Sequence, residues 1–459
     1  VIDDRAASHS SRRILSVVVA LPLLAWIALL GCSRPEAYDL AITNVTVIDG
    51  TGAPAQPNRH VLIRRGRIAR IADGSETVRA HEVIDGSAKY LIPGLIDGHA
   101  HPFPVETNLP LFARFGVTSI LVPGCTDCSD QNIARAIALA DDVSFSSPRV
   151  FPTSQHVTME GRHPVKTYPS PRWVEGETVY YLREPADAER FVREVAEDPI
   201  VGIKLTIEDG PAPPFVERMP QALAEELVRQ AHAHELPVFV HVSDNEELRI
   251  AVEAGADHLL HFVGVDLDWE RDLELATRVR DQEMSWVTTL MIDKSFFYPA
   301  RPEWIELVLA LGVFDEEEVA RLAASRVPED SLRFLAEAYG IADPTLPSVI
   351  RPQVEDLRRL YDLGVNLVVG TDVGNDFIFP GLSIHEEMEL LEMGFAPLEI
   401  LEMATENAAR MLGVLEELGT IEEGKAADLV LLDDNPLDSI RNTRSILAVF
   451  RAGRRIDPR

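Results

Sequence analysis

The chain has 459 residues, too many for one ordinary domain and suited to a large barrel with a satellite. With 46% hydrophobic and 25% charged residues it is neither a disordered chain nor a polytopic membrane protein. A net charge of −31 opposes nucleic-acid partners, whose phosphates it would repel, and three cysteines are too few for a disulfide scaffold.

The N-terminal segment reads as a targeting signal. Arg12 and Arg13 precede an apolar stretch, 14–30, that runs into Leu29-Leu30-Gly31-Cys32. Basic flank, apolar core and small residue at a cut site fit a secretory signal of residues 1–32. The Leu-Leu-Gly-Cys ending resembles a bacterial lipobox, with Cys32 as the lipidated first residue of the mature protein. Ser33 resembles the outer-membrane sorting choice. The alternative is a single membrane anchor, since the run is only slightly short of the roughly 20 residues of a span. On the first reading the protein is exported and held by a lipid anchor at the outer membrane or cell surface, on the periplasmic side.

From residue 39 to about 90 come short β segments, 40–48, 60–64 and 67–71, with turns at 49–52 and 73–74. Beyond residue 91, apolar strands alternate with helical stretches. The predicted strands are 94–99, 118–122, 149–152, 202–205, 237–242, 258–262, 286–291 and 366–370. Eight such strands indicate an α/β fold, a (β/α)₈ TIM-type barrel rather than a doubly wound sheet. The β texture returns at 419–422, 428–432 and 445–449. Neither flank can stand alone, so 39–92 and 419–459 should form one small β-sandwich domain beside a barrel of 93–418. Two insertions, 155–184 and 292–351, should sit at the barrel's mouth, the second with helical stretches 303–311 and 316–324.

Six side chains at strand ends carry the chemistry. His99 and His101, two apart on an extended chain, point to one side and can hold one metal ion; the alternative is a turn with two satisfied histidines. Lys204, one of five lysines, lies in a buried strand, where an ammonium must be paired, neutral or modified. Adding CO₂ makes it a carbamate able to bridge two cations; the alternative is a lysine reaching solvent. His241 ends an apolar run. His258 and His261 have opposite parity, so at most one faces the barrel axis, and His261 lies nearer the C-terminal end, where barrel sites are built. Asp372 follows another apolar run as ligand or base, or as a helix N-cap.

The order His-x-His, Lys, His, His, Asp, together with Leu91-Ile92-Pro93-Gly94-Leu95-Ile96-Asp97-Gly98-His99-Ala100-His101 and the stretches 404–413 and 419–430, resembles the amidohydrolase superfamily with a binuclear metal site. Ser383-Ile384-His385-Glu386-Glu387 looks most like its imidazolonepropionase-like and prolidase-type (Xaa-Pro dipeptidase or carboxypeptidase-like) branch. The resemblance spans 39–453. It implies that His99, His101 and Asp372 bind the more buried of two divalent ions, that His241 and His261 bind the second, and that carboxylated Lys204 bridges them. Zinc suits this mixed shell. A metal-bridging hydroxide would attack the carbonyl of a small-molecule amide or peptide, such as a dipeptide or N-acyl amino acid, with Asp372 carrying its proton to the leaving nitrogen. The same ligands would serve a lactone, ester, phosphotriester or cyclic imide. A one-metal deaminase and a non-catalytic binding lipoprotein fit less well.

Gly161-Arg162-His163-Pro164 stands where relatives often carry a Gly-Gly-His turn, so His163 is a candidate substrate contact; the alternative is a solvated loop histidine. Gln155, His156, Arg162, Lys166 and Tyr168 share that loop and could clamp a substrate carboxylate, although Lys166 reads as surface. Tyr298 could line an aromatic pocket or pack a lid, and His385 could orient substrate or start the last barrel helix. Cys125 and Cys128 should form a local disulfide outside the cytoplasm. A homo-oligomer is left open.

Overall fold

The computed structural model describes residues 37–142, 144–211, 215–325 and 327–456. The signal segment and Cys32 lie outside the described residues. Among the described residues no helix is long and apolar enough to cross a membrane.

Eight parallel strands make the barrel: Leu95–Asp97, Val117–Val122, Arg149–Pro152, Ile203–Thr206, Val238–His241, His258–Leu260, Ser285–Val287 and Asn366–Val368. The first three pair as one ladder and the last five as another. Backbone bonds join the two ladders. Val201 N–H donates to the Pro152 carbonyl at 2.8 Å, and on the other side Gly98 N–H donates to Val369 at 2.9 Å. The strands read as apolar runs because both faces are covered. One face fills the barrel with Ile96, Leu121, Phe239, Leu260, Val287 and Val368, while the other packs beneath the helices.

All eight strands lie where the sequence puts them; the first, sixth and eighth end two residues short of their predicted bounds, and the seventh stops earliest. It ends at Val287 rather than near 291, and Thr289 adopts a left-handed φ of 51° before the short helix Met291–Ser295. The buried Glu387 carboxylate causes the break. It accepts from the Thr288 hydroxyl at 2.5 Å and from the Leu290 and Met291 N–H groups at 2.9 and 2.7 Å, drawing the chain out of the ladder. The second insertion is helical, with Pro302–Ala310, Glu316–Ser325 and Pro328–Tyr339 leading into Leu346–Leu363.

The two flanks meet in one eight-stranded sheet rather than two separate layers. Its branch point is Tyr38–Val47, which pairs antiparallel with Gln56–Arg64 on one side and parallel with Ala80–Asp85, then Tyr90–Pro93, on the other. Tyr90–Pro93 pairs in turn with the C-terminal strand Leu429–Leu432. The sheet curls onto itself: Ala427 N–H donates to Gly66 at 2.9 Å, and Leu40 and Ile63 share a buried cluster with Leu429 and Phe450. Arg149 at the third barrel strand grips Asp428 through two hydrogen bonds, 2.8 and 3.3 Å, and ties this sheet to the barrel.

Candidate metal centre

At the C-terminal ends of the strands lies a cavity of about 250 Å³, and His99, His101, Lys204, His241, His261 and Asp372 all line it. Three of their atoms converge: His99 Nε2 and His101 Nε2 lie 3.3 Å apart, and Asp372 Oδ1 is 3.2 and 3.1 Å from them.

The closing seam of the barrel creates this convergence. Asp372 N–H donates to the His99 carbonyl at 2.7 Å, and His101 N–H to Val373 at 2.6 Å. Beneath them Asp97 accepts from His99 N–H at 3.2 Å, Thr371 N–H at 3.0 Å and the Thr371 hydroxyl at 2.6 Å. Complete burial pushes the Asp97 carboxyl up to about 7, against the pull of those three bonds. Gly370 passes so close to the first strand that a Cβ would stand 2.3 Å from Val287 Cγ1 and 3.0 Å from the His99 nitrogen. Only glycine fits.

Asp372 itself has a left-handed φ of 61°, uncommon for a residue with a side chain. Asn375 Nδ2 donates to its Oδ2 at 2.8 Å. Burial would raise its carboxyl, but the His101 hydrogen bond and the charges of His261, His101 and Lys204 hold it below the ordinary carboxylate range. Burial, and then His261 and Lys204, push His99 well below the ordinary imidazole value. A neutral imidazole offers a lone pair, which suits a cation better than a proton.

Lys204 is 1% exposed. Burial lowers its pKa to about 7, with Asp372 and Glu208 pulling the other way. Its strand neighbours are His156 and Phe239.

His261 is in the cavity for a reason parity did not supply. The sixth strand ends at Leu260, and His261 turns inward through a φ of 76°. Trp286 Nε1 donates to its carbonyl at 2.6 Å, and its Nδ1 lies 3.0 Å from the Thr289 hydroxyl. Its ring stands 4.5 Å from that of His99 and 4.2 Å from that of His241. His258 shares the parity of Leu260 and packs against Phe239 at 4.5 Å, where burial lowers it to about 4.

Sequence reasoning passed over Glu208. It is 2% exposed, with Oε2 3.3 Å from His163 Nε2 and also against His241 Nε2. A signal was present: Lys204, Thr206 and Glu208 alternate with Leu205 and Ile207, so three polar side chains share one face of the extended run. His163 is buried in the cavity wall, not solvated, with Nδ1 2.6 Å from the Thr167 hydroxyl.

The other loop expectations need correction. Tyr298 is fully buried away from the cavity, its hydroxyl donating to Glu386 at 2.9 Å, and Lys294 meets the same carboxylate at 2.7 Å. Both pack a lid. His385 is also spent internally, with Nδ1 2.8 Å from the Thr443 hydroxyl and Nε2 2.9 Å from the Phe115 carbonyl. No cationic clamp forms among the described residues. Arg162 pairs with Glu217, Lys166 is exposed, and His156, although it lines the cavity, is held well below the ordinary imidazole value by burial and Lys204. Tyr168, Trp173 and Phe103 give the cavity an aromatic outer wall. Cys125, which lines the cavity, is joined to Cys128 in the expected disulfide.

Residues 90–456 match the model of the amidohydrolase family. Imidazolonepropionase of Geobacillus kaustophilus (strain HTA426) is 33% identical over 132 residues, 28% of this chain and 30% of that enzyme, so the match spans under a third of that relative. The 5-methylthioadenosine/S-adenosylhomocysteine deaminase of Halalkalibacterium halodurans is 24% identical over 422 residues, 85% of this chain and 84% of that one. Among solved structures, a Xaa-Pro dipeptidase with bound methionine in its active site shares the fold, with a TM-score of 0.71 and 20% identity over 91% of this chain and 99% of that one.

Proposed function

The chain belongs to the amidohydrolase family, and from that premise we propose a binuclear metal-dependent hydrolase that cuts the amide bond of a dipeptide or N-acyl amino acid. The observation that carries this reading is the meeting of His99, His101 and Asp372 donor atoms within 3.3 Å, in one cavity with His241, His261 and Lys204.

The donors fit divalent cations. Two imidazole nitrogens and a carboxylate oxygen are the composition of hydrolytic zinc sites. In the proposal His99, His101 and Asp372 would hold one ion, His241 and His261 would contribute to a second, and Lys204, as a carbamate, would supply a further anionic ligand. A lysine depressed to about 7 is partly unprotonated at neutral pH, the form that adds CO₂. When bound, such cations lower the pKa of water from 15.7 toward neutrality and polarise a carbonyl.

The chain's own residues do the rest. Asp372, ionised and aimed by Asn375, takes the proton lost by the attacking water and returns it to the leaving nitrogen. Asp97 and Thr371 keep Asp372 and His99 in place. Tyr168, Trp173 and Phe103 offer apolar surface to the substrate and exclude water. The leader reading belongs to the same proposal, with Cys32 lipidated and the enzyme outside the cytoplasm.

A panel of dipeptides, N-acyl amino acids, a lactone and a phosphotriester, assayed after zinc loading, tests the proposal. Amide turnover is expected. Turnover confined to the lactone or phosphotriester would replace amide hydrolysis by the alternative reading on the same site.

A further inference from the structure

A row of imidazoles crosses the cavity: His99, His261, His241 and His163, with ring centroids 4.5, 4.2 and 5.4 Å apart in turn. Each end of the row carries a buried carboxylate, Asp372 beside His99 and Glu208 beside His163. Family resemblance accounts for the first end. Nothing yet accounts for the second.

Glu208 Oε2 is sealed from solvent and has no hydrogen-bond donor. The ring nitrogens of His163, at 3.3 Å, and of His241 stand beside it without donating to it. A buried carboxylate oxygen left so is costly. The donor atoms of His163, Glu208 and His241 all lie within 4.8 Å of one another, so one cation could satisfy all three. Thr167, at 2.6 Å from His163 Nδ1, fixes the ring with Nε2 toward Glu208, as partners of metal-bound histidines do. Two imidazoles and a carboxylate repeat at this end the composition of the His99–His101–Asp372 set.

We infer that Glu208, with His163 and His241, binds the second divalent ion directly, so that retention of this ion does not depend on a carbamate at Lys204. The inference rests on the metal-dependent reading above. It turns His163 from a substrate contact into a ligand. An encoded carboxylate is present whatever the CO₂ supply, whereas a carbamate forms and reverses with it.

The test is metal content, read without any assay of turnover. The full chain, loaded with zinc and freed of excess, should carry two equivalents by elemental mass spectrometry, and Glu208→Gln should carry one. The equivalent that remains, held by His99, His101 and Asp372, also reports a folded barrel. On the wild-type protein, apoprotein loaded in CO₂-depleted buffer should take up two equivalents, as it does with bicarbonate. Two equivalents in Glu208→Gln, held as firmly against a chelator as in wild type, would overturn the inference. So would a second wild-type equivalent that appears only with bicarbonate. Both outcomes leave the hydrolase reading standing, whereas a wild-type chain that takes up no zinc removes both.

Discussion

His99 and Asp372 touch twice: the backbone N–H of Asp372 donates to the His99 carbonyl at 2.7 Å, and the side chains meet again with Nε2 and Oδ1 3.2 Å apart. The first contact closes the barrel between its first and last strands, and the second builds the candidate metal centre. Fold closure and ligand geometry are one feature. An ion here would therefore staple the seam. At a free zinc concentration of 1,000 times its Kd, it stabilises the folded chain by about 4 kcal/mol. Chelation should lower the melting temperature reversibly, and Asp372→Ala should abolish most of that shift.

Asp372→Asn keeps the shape of the side chain and the donor–acceptor contact with Asn375 but removes the charge. Loss of a proton carrier and anionic ligand should lower kcat by about 10³-fold or more, with the far-ultraviolet circular dichroism unchanged. Lys204→Ala should impair turnover comparably. Wild-type rates in either variant would remove that residue from the site.

Asp97 never reaches the cavity, yet it accepts two backbone N–H groups and a hydroxyl on both sides of the seam. Asp97→Ala takes this acceptor from the His99 N–H and the Thr371 hydroxyl, and leaves the Thr371 N–H only its longer bond to the His99 carbonyl, 3.3 Å. A cost of about 2–4 kcal/mol is expected in denaturant unfolding. Zinc affinity should fall with it, because His99 and Asp372 lose their common brace. Asp97→Asn should be milder on both measures.

His385 gives a pH prediction with a definite sign. The Phe115 carbonyl can only accept, so His385 Nε2 carries a proton, while the Thr443 hydroxyl lies 2.8 Å from Nδ1 and 2.7 Å from the Ile440 carbonyl. Burial, and then the charge of Arg444, push its pKa down to about 3. An unfolded histidine titrates near 6.5, so between 6.5 and 3 the unfolded chain binds a proton that the folded chain refuses. The contribution to stability is present above 6.5 and is lost as the pH falls toward 3. From pH 7 to pH 5, wild type should lose about 2 kcal/mol relative to His385→Gln, measured by denaturant titration.

Much of this is legible in the sequence alone. Apolar runs ending in His, Lys or Asp marked the strands and the cavity together, because a barrel strand buried on both faces must be apolar until it emerges at the mouth. Residues that reach the site by leaving regular geometry were harder to read. His261 enters through a left-handed turn, and strand parity alone favours His258 facing inward. Glu208 was hidden by its distance beyond the strand's end, although the alternation from Lys204 pointed to it. His385 and Tyr298 misled because a buried polar side chain looks the same in sequence whether it faces a cavity or a packed network. Their partners, Thr443, Phe115 and Glu386, are remote in the chain and come together only in the fold.

The Cys125–Cys128 bond lies beside the ligands, with both sulfurs and a His101 ring nitrogen within 4.8 Å of one another. As free thiolates, these soft donors would compete with the neighbouring imidazoles for a divalent cation. Paired as a disulfide, the two sulfurs are withdrawn from any such competition.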